Sequence, residues 1–170
     1  MPDATGLELI AQELREQIDD GAILDTNFYR ERATLIADPA QIRAVIGHLH
    51  TKGYSFLASL HGVDYYPDEP RLGVLYELLD MDTVDRISVK ARVSTEAATI
   101  ATVTDLYPGA GFPEREVYDM FGVNFEGHPD MRRILMPEDY EGHPQRRDFP
   151  IGGEPVLFTH NEDDVPGWIK

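Results

Sequence analysis

Apolar residues recur at Leu7, Ile10, Leu14 and Ile18 with helical spacing, and Gly21 follows where a left-handed residue can close a helix. Two β-rich runs come next, Ala22 to Tyr29 and Ala33 to Ala37. Asp38-Pro39 then supplies an N-cap with proline in the first turn, and Ile42, Val45, Ile46 and Leu49 form the stripe of a second helix reaching about Thr51, with Gly53 as its stop. Three longer runs read as strands: Tyr54 to Val63, Arg71 to Leu79 and Asp85 to Val93. In the last, Ile87, Val89, Ala91 and Val93 alternate with Ser88, Lys90 and Arg92, so one face is buried and the other wet. The links between these strands are short and rich in Asp and Pro, which suits antiparallel hairpins. The order α, β, β, α, β, β, β predicts an α+β fold for residues 1–105, an antiparallel sheet with helices packed on one face.

The pattern changes after residue 105. Residues 106–170 hold 8 of the 12 prolines and 8 of the 14 glycines, and only one more helix is expected, at about 113–121, started by Pro113 and stopped by Gly122. A long irregular C-terminal segment follows, yet it keeps Phe125, Ile134, Leu135, Met136, Tyr140, Phe149, Val156, Leu157, Phe158 and Trp168, more apolar surface than a solvated tail carries. Residues 106–170 are therefore read as an extended segment that docks on another protein. Wrapping around the chain's own sheet is the alternative.

Composition narrows the function. In 170 residues there are 31 acidic and 15 basic side chains, a formal charge of −16 that argues against nucleic-acid binding. With no cysteine, the chain can hold no disulfide, no cysteine-ligated cluster and no thiolate zinc site. No apolar run approaches the roughly 18 residues of a membrane span, and the acidic start is unlike a secretory signal, so the cytoplasmic side is expected.

Candidate chemistry is sparse. None of the four serines sits in a nucleophile elbow. Gly109-Ala110-Gly111-Phe112-Pro113-Glu114 begins like a dinucleotide loop but lacks the third glycine, and there is no P-loop. The most distinctive feature is a near-duplication. Glu126-Gly127-His128-Pro129 with Arg132-Arg133 is followed by Glu141-Gly142-His143-Pro144 with Arg146-Arg147. Read as chemistry, His128, His143, Asp130 and Asp148 are candidate ligands of a divalent metal, although their spacing matches no known ligand pattern. Read as structure, Gly and Pro set the loop and His ties it down, while the arginines seek carboxylates at an interface. On the helix, Arg115 and Asp119 are spaced to pair, and Glu116 and Asp119 could share a site as an acid-base pair.

The string from Glu114 to Val156, EREVYDMFGVNFEGHPDMRRILMPEDYEGHPQRRDFPIGGEPV, closely resembles the C-terminal motif block of the 30-kDa subunit of respiratory complex I, the C subunit of bacterial NADH-quinone oxidoreductase (NDH-1). FLASLHGVDYYP and TDLYPGAGF add to the resemblance, which covers about Phe56 to Val156. Two departures are Pro113, where many relatives carry a bulky apolar residue, and His61; the short length also suggests that the extensions of longer members are absent. The helical motif is matched by Glu114, Arg115, Glu116, Tyr118, Asp119, Phe121 and Gly122. The loop motifs are matched by His128, Pro129, Arg132, Arg133, His143, Arg146, Asp148, Phe149 and Pro150.

The resemblance implies a non-catalytic subunit of the peripheral arm, on the cytoplasmic side of a membrane complex, with those motif residues at subunit interfaces. It implies no cofactor in this chain, FMN and iron-sulfur clusters in partner subunits, and contact with the 49-kDa-like subunit, the terminal-cluster subunit and other members of the peripheral arm. Electrons then pass from NADH to quinone, with proton translocation, only in the assembled enzyme. Equivalent subunits of a ferredoxin-dependent photosynthetic complex or of membrane-bound hydrogenases share the block. Outside this class stand a His/carboxylate metal-dependent enzyme and a free-standing module whose acidic face meets a basic partner.

Overall fold

A computed structural model describes residues 2–150. Helix α1 (Ala4–Gln17) is capped by Asp3, whose side chain accepts from the Gly6 N–H at 2.7 Å, and it buries Leu7, Ala11 and Leu14. Gly21 does not end it in a left-handed cap. The helix stops at Ile18, and the Gly21 N–H donates to the Asp19 carboxylate at 2.8 Å in the turn that follows. Strands β1 (Ile23–Tyr29) and β2 (Arg32–Ala37) form an antiparallel hairpin. Its two turn residues, Arg30 and Glu31, both have positive φ, 48° and 62°, which matches the twist of tight hairpins but is usually left to Asn and Gly.

Asp38 caps a short 3-10 turn at Pro39–Gln41, as its sequence suggests, and helix α2 (Ile42–Thr51) continues from it. Gly53, at φ +108°, closes this helix in the left-handed region. Strands β3 (Phe56–Asp64), β4 (Leu72–Leu79) and β5 (Arg86–Val93) make a meander, and the five strands lie in the order β1-β2-β5-β4-β3.

The α+β arrangement is present, with one difference from the antiparallel expectation: β2 and β5 pair in parallel, Thr34 opposite Ser88 and Ala37 opposite Ala91. Strand parity requires it. The crossover through α2 returns β3 in the direction of β2, two hairpins bring β5 back to that direction, and β5 then fills the place beside β2.

Leu35, Val74, Tyr76, Leu78 and Val89 point from the sheet into a core closed by Leu14, Ile42, Ile46 and Leu49 from the helices. The same core includes Val103, Tyr107, Ala110, Val117, Met120 and Phe125, so the expected division at residue 105 is not a break in packing. Tyr107 donates to the Tyr54 carbonyl at 2.6 Å, and burial pushes its phenol up to about 12. Helix α3 runs over Gly111–Phe121, two residues earlier than Pro113, after a 3-10 turn at Pro108–Ala110. Short strands β6 (Thr99–Ala101) and β7 (Asn124–Glu126) pair in parallel on either side of it. Val156, Leu157, Phe158 and Trp168 lie outside the described residues.

Helix α3 packs on β3 because Gly62 has no side chain: a Cβ there would stand 2.4 Å from Cδ2 of Phe121. Gly62→Val should therefore lower stability by about 1 to 3 kcal/mol, the usual cost of overpacking. Chemical denaturation of the full chain measures this, and an unchanged midpoint would show that the ring has room to move.

Candidate functional site

The C-terminal end of α3 leaves the carbonyls of Asp119, Met120 and Phe121 without helical partners, as any helix end does. Residues 143–146 satisfy all three. His143 Nδ1 donates to the Asp119 carbonyl at 3.0 Å, the Gln145 N–H to Met120 at 3.1 Å, and Arg146 Nε to Phe121 at 2.5 Å. Gly122, at φ +75°, makes this possible, because a Cβ on it would lie 2.5 Å from both His143 Nε2 and an Arg146 terminal nitrogen. The Tyr118 ring meets the His143 ring edge-on at 6.2 Å.

The carboxylate of Asp119, fully buried, organises the segment between. Oδ2 accepts the consecutive N–H groups of Ile134, Leu135 and Met136 at 3.0, 2.7 and 2.8 Å, and Oδ1 takes Arg133 Nη1 at 2.6 Å. Burial opposes its charge, but these donors prevail and hold the group below the ordinary carboxylate range. Arg115 clasps the same segment from the next turn, donating to the carbonyls of Arg132 and Arg133 at 3.0 and 2.9 Å. Asp119 thus pairs with Arg133 and not with Arg115. Glu116 is exposed while Asp119 is buried, so the two share no site.

The near-duplicated motif fastens both ends of α3. Gly127 and Gly142 adopt matching left-handed geometry, φ +85° and +91°. His128 Nε2 then donates to the Gly111 carbonyl at 3.0 Å, at the start of the helix, while His143 serves its end. His128 also lies 3.9 Å from the buried Glu114 carboxylate, which accepts from the Val103 N–H at 2.9 Å and the Thr102 hydroxyl at 2.5 Å. Burial raises the Glu114 pKa despite these donors.

A third fastening lies at the far end of β3. Arg71, 7 % exposed, forks to Asp64 at 2.8 and 2.5 Å and to Asp148 at 2.8 Å twice, and the Arg147 N–H donates to Asp64 at 2.8 Å. Hydrogen bonds from Arg71 hold Asp64 and Asp148 below their ordinary range. Phe149 stacks on Tyr140 with ring centres 6.2 Å apart. Arg132 is exposed and paired with Asp130, and Pro129 and Pro150 are also exposed.

The motif residues are thus joined into a clasp that binds residues 127–150 to their own helix and sheet. Arg133 and Arg146, expected to meet carboxylates elsewhere, find Asp119 and the Phe121 carbonyl in this chain. His128 accepts from the Asp130 N–H at 3.0 Å while His143 and Asp148 are engaged on other partners, and among the described residues no group of three or more His, Asp or Glu is arranged to hold a metal. Sequence reasoning missed Asp64, Arg71, Thr102 and Gln145. Asp64 stood in the quoted string FLASLHGVDYYP and Gln145 in the block from Glu114 to Val156, but neither was singled out there.

The model of the family described as "Respiratory-chain NADH dehydrogenase, 30 Kd subunit" matches residues 35–155. The chain is 41% identical over 159 residues to the C subunit of NADH-quinone oxidoreductase from Roseiflexus sp. (strain RS-1), covering 92% of this chain and 91% of that protein. It is 45% identical over 134 residues to NADH-quinone oxidoreductase subunit 5 of Thermus thermophilus, covering 74% and 65%. Among solved structures, a trypsin-resistant fragment of Nqo5 superposes with a TM-score of 0.64 at 34% identity, over 73% of this chain and 98% of the fragment. A chain of the membrane-bound sulfane sulfur reductase, an archaeal respiratory membrane complex, superposes with a TM-score of 0.69 at 28% identity, over 85% of each.

The clasp should weaken in acid. His143 is held below its ordinary pKa by burial, which outweighs its bond to the Asp119 carbonyl. A base with a depressed folded pKa contributes stability above its unfolded pKa, about 6.5, and loses it as pH falls through the folded value. Glu114, with a raised folded pKa, acts oppositely, its contribution declining as pH rises from about 4.5. His143→Gln, which keeps a donor for the Asp119 carbonyl, should therefore show a smaller loss of denaturation midpoint between pH 7 and pH 5 than the parent chain. An equal loss in both would remove His143 from the account.

Proposed function

Because the chain belongs to the respiratory-chain NADH dehydrogenase 30-kDa subunit family, we propose that it is a non-catalytic structural subunit in the peripheral arm of a proton-translocating NADH:quinone oxidoreductase. In this reading it braces the 49-kDa-like subunit, which helps form the quinone pocket, and the terminal-cluster subunit beside it. FMN and the iron-sulfur clusters belong to partner subunits, and the chain sits peripherally on the cytoplasmic side of the membrane. Two features support this. The sequence holds no cysteine to ligate a cluster, and among the described residues no helix is long and apolar enough to cross a membrane.

The observation that carries the reading is what the clasp leaves outside. Arg115, Asp119, Arg133, Arg146 and Asp148 are engaged in holding residues 127–150 in place, while Phe112 and Leu135 stand 68% and 60% exposed and Arg132 and Arg147 are exposed as well. Exposed aromatic and arginine side chains are what protein interfaces favour. The motif residues then serve the interface indirectly, by making rigid the surface that a partner meets.

A second reading has one observation behind it. The likeness to the sulfane sulfur reductase chain supports an equivalent position in another membrane-bound respiratory complex. The higher identity to NADH-quinone oxidoreductase subunits, 41% and 45%, favours the first.

Co-expression with the 49-kDa-like subunit should yield a stable pair burying more than about 1,200 Å². Leu135→Glu combined with Phe112→Glu should reduce co-purification at least tenfold with the thermal midpoint of the lone chain unchanged. A parent chain that never associates with properly assembled partner would contradict the proposal.

A further inference from the structure

Among the described residues nothing covers the sheet face turned away from the helices, and its residues fall in rows set by the strand register. Across the end nearest the β1–β2 turn, Tyr29 pairs with Arg32 and Arg86 pairs with Leu79, which in turn pairs with Phe56. Thr34 lies opposite Ser88 on the parallel strands, so Arg32 and Arg86, each two residues earlier, stand side by side on this face. Like charges placed directly across neighbouring strands are destabilising. Among the described residues neither arginine has a carboxylate within 4.0 Å, although acids outnumber bases two to one in the chain.

Three independent features converge here. Arg32 and Arg86 line a trough of about 630 Å³ whose wall is completed by Ser59, Leu75 and Glu77. Arg30, Glu31 and Val84, the non-glycine residues with positive φ among those described, at 48°, 62° and 60°, all line this same trough. Such geometry costs energy, most of all for a β-branched valine, and collects where a surface has a use. The row ends in aromatic rings, Tyr29 at 64% and Phe56 at 48% exposure, and Tyr, Phe and Arg are residues enriched at the centres of interfaces.

We propose that this trough docks an acidic, extended segment of a neighbouring protein chain, whose carboxylates lie between Arg32 and Arg86 and whose apolar side chains rest on Tyr29 and Phe56. Guanidinium forks bind carboxylates in two places, which removes the repulsion between the two arginines. Glu31 and Glu77 in the trough and a chain charge of −16 oppose a uniform polyanion such as nucleic acid or an anionic bilayer. A polypeptide can instead space its acids to meet only the arginines. The surface is on the opposite face of the sheet from α3 and at the other end of β3 from Asp64, so it is separate from the clasp. The proposal rests on the subunit role only in that the assembled complex supplies the neighbour.

The test places the photo-cross-linking residue p-benzoylphenylalanine at Tyr29 of the full chain, purifies the assembled complex, irradiates it and sequences the adduct. The expected adduct is an Asp- or Glu-rich segment of another subunit, with a yield at least fivefold lower when Arg32→Glu and Arg86→Glu are added. Arg32→Gln with Arg86→Gln serves the same end should the reversal impair folding, with at least a threefold loss expected. A complex that assembles but gives no protein adduct, or an adduct to phospholipid, to nucleic acid or to residues 151–170 of the same chain, would overturn the docking proposal and leave the subunit role standing. An adduct yield indifferent to both arginine variants would overturn it too. Failure of the chain to co-purify with the complex would overturn both.

Discussion

A single buried carboxylate decides the shape of the C-terminal block. Asp119 faces the core side of α3, where an unpaired charge would cost several kcal/mol, and it is kept ionised by three successive backbone N–H groups and the Arg133 guanidinium. Those donors belong to residues 133–136, which form no regular secondary structure. Their backbone polarity is satisfied because the helix presents an acceptor, and the helix tolerates that acceptor because the loop supplies donors. Each half satisfies the other, and each specifies the other's position.

The same reciprocity runs through the rest of the block. The helix end offers unpaired carbonyls, and His143, Gln145 and Arg146 complete them. The sheet end offers Asp64 and Arg71, and Asp148 and the Arg147 N–H complete those. An irregular segment rich in Pro and Gly is thereby fixed without a ladder of its own, by being the capping group of elements formed elsewhere.

Much of the fold was legible in the residue pattern because its elements are locally encoded. Alternation marked β5, the Asp38-Pro39 pair marked the start of α2, and Gly53 and Gly122 marked helix ends that the structure places at positive φ. Strand direction was misjudged at β2 and β5, where the information is topological and the parity of one crossover and two hairpins decides it. The site was legible as a set of residues and illegible as a set of contacts. Arg71 and Asp148 meet across 77 positions of sequence, and no local spacing announces such a pair. The two His-Pro repeats invited a metal reading because imidazole and carboxylate are ligands in many sites, whereas here each ring is oriented by a helix carbonyl. Arg133 and Arg146 are expected at an interface because guanidinium groups favour interfaces, and the structure also gives them acceptors within the chain, which no spacing announces.

If the motif residues build a rigid surface and the exposed residues meet the partner, residues 133–146 must be ordered before any partner arrives. Amide hydrogen exchange on the lone full-length chain tests this most directly. The account predicts that the N–H groups of Ile134, Leu135, Met136 and Gln145 exchange as slowly as the ladder of β4. Exchange at the rate of an unstructured peptide, slowing only when a neighbouring subunit binds, would contradict it.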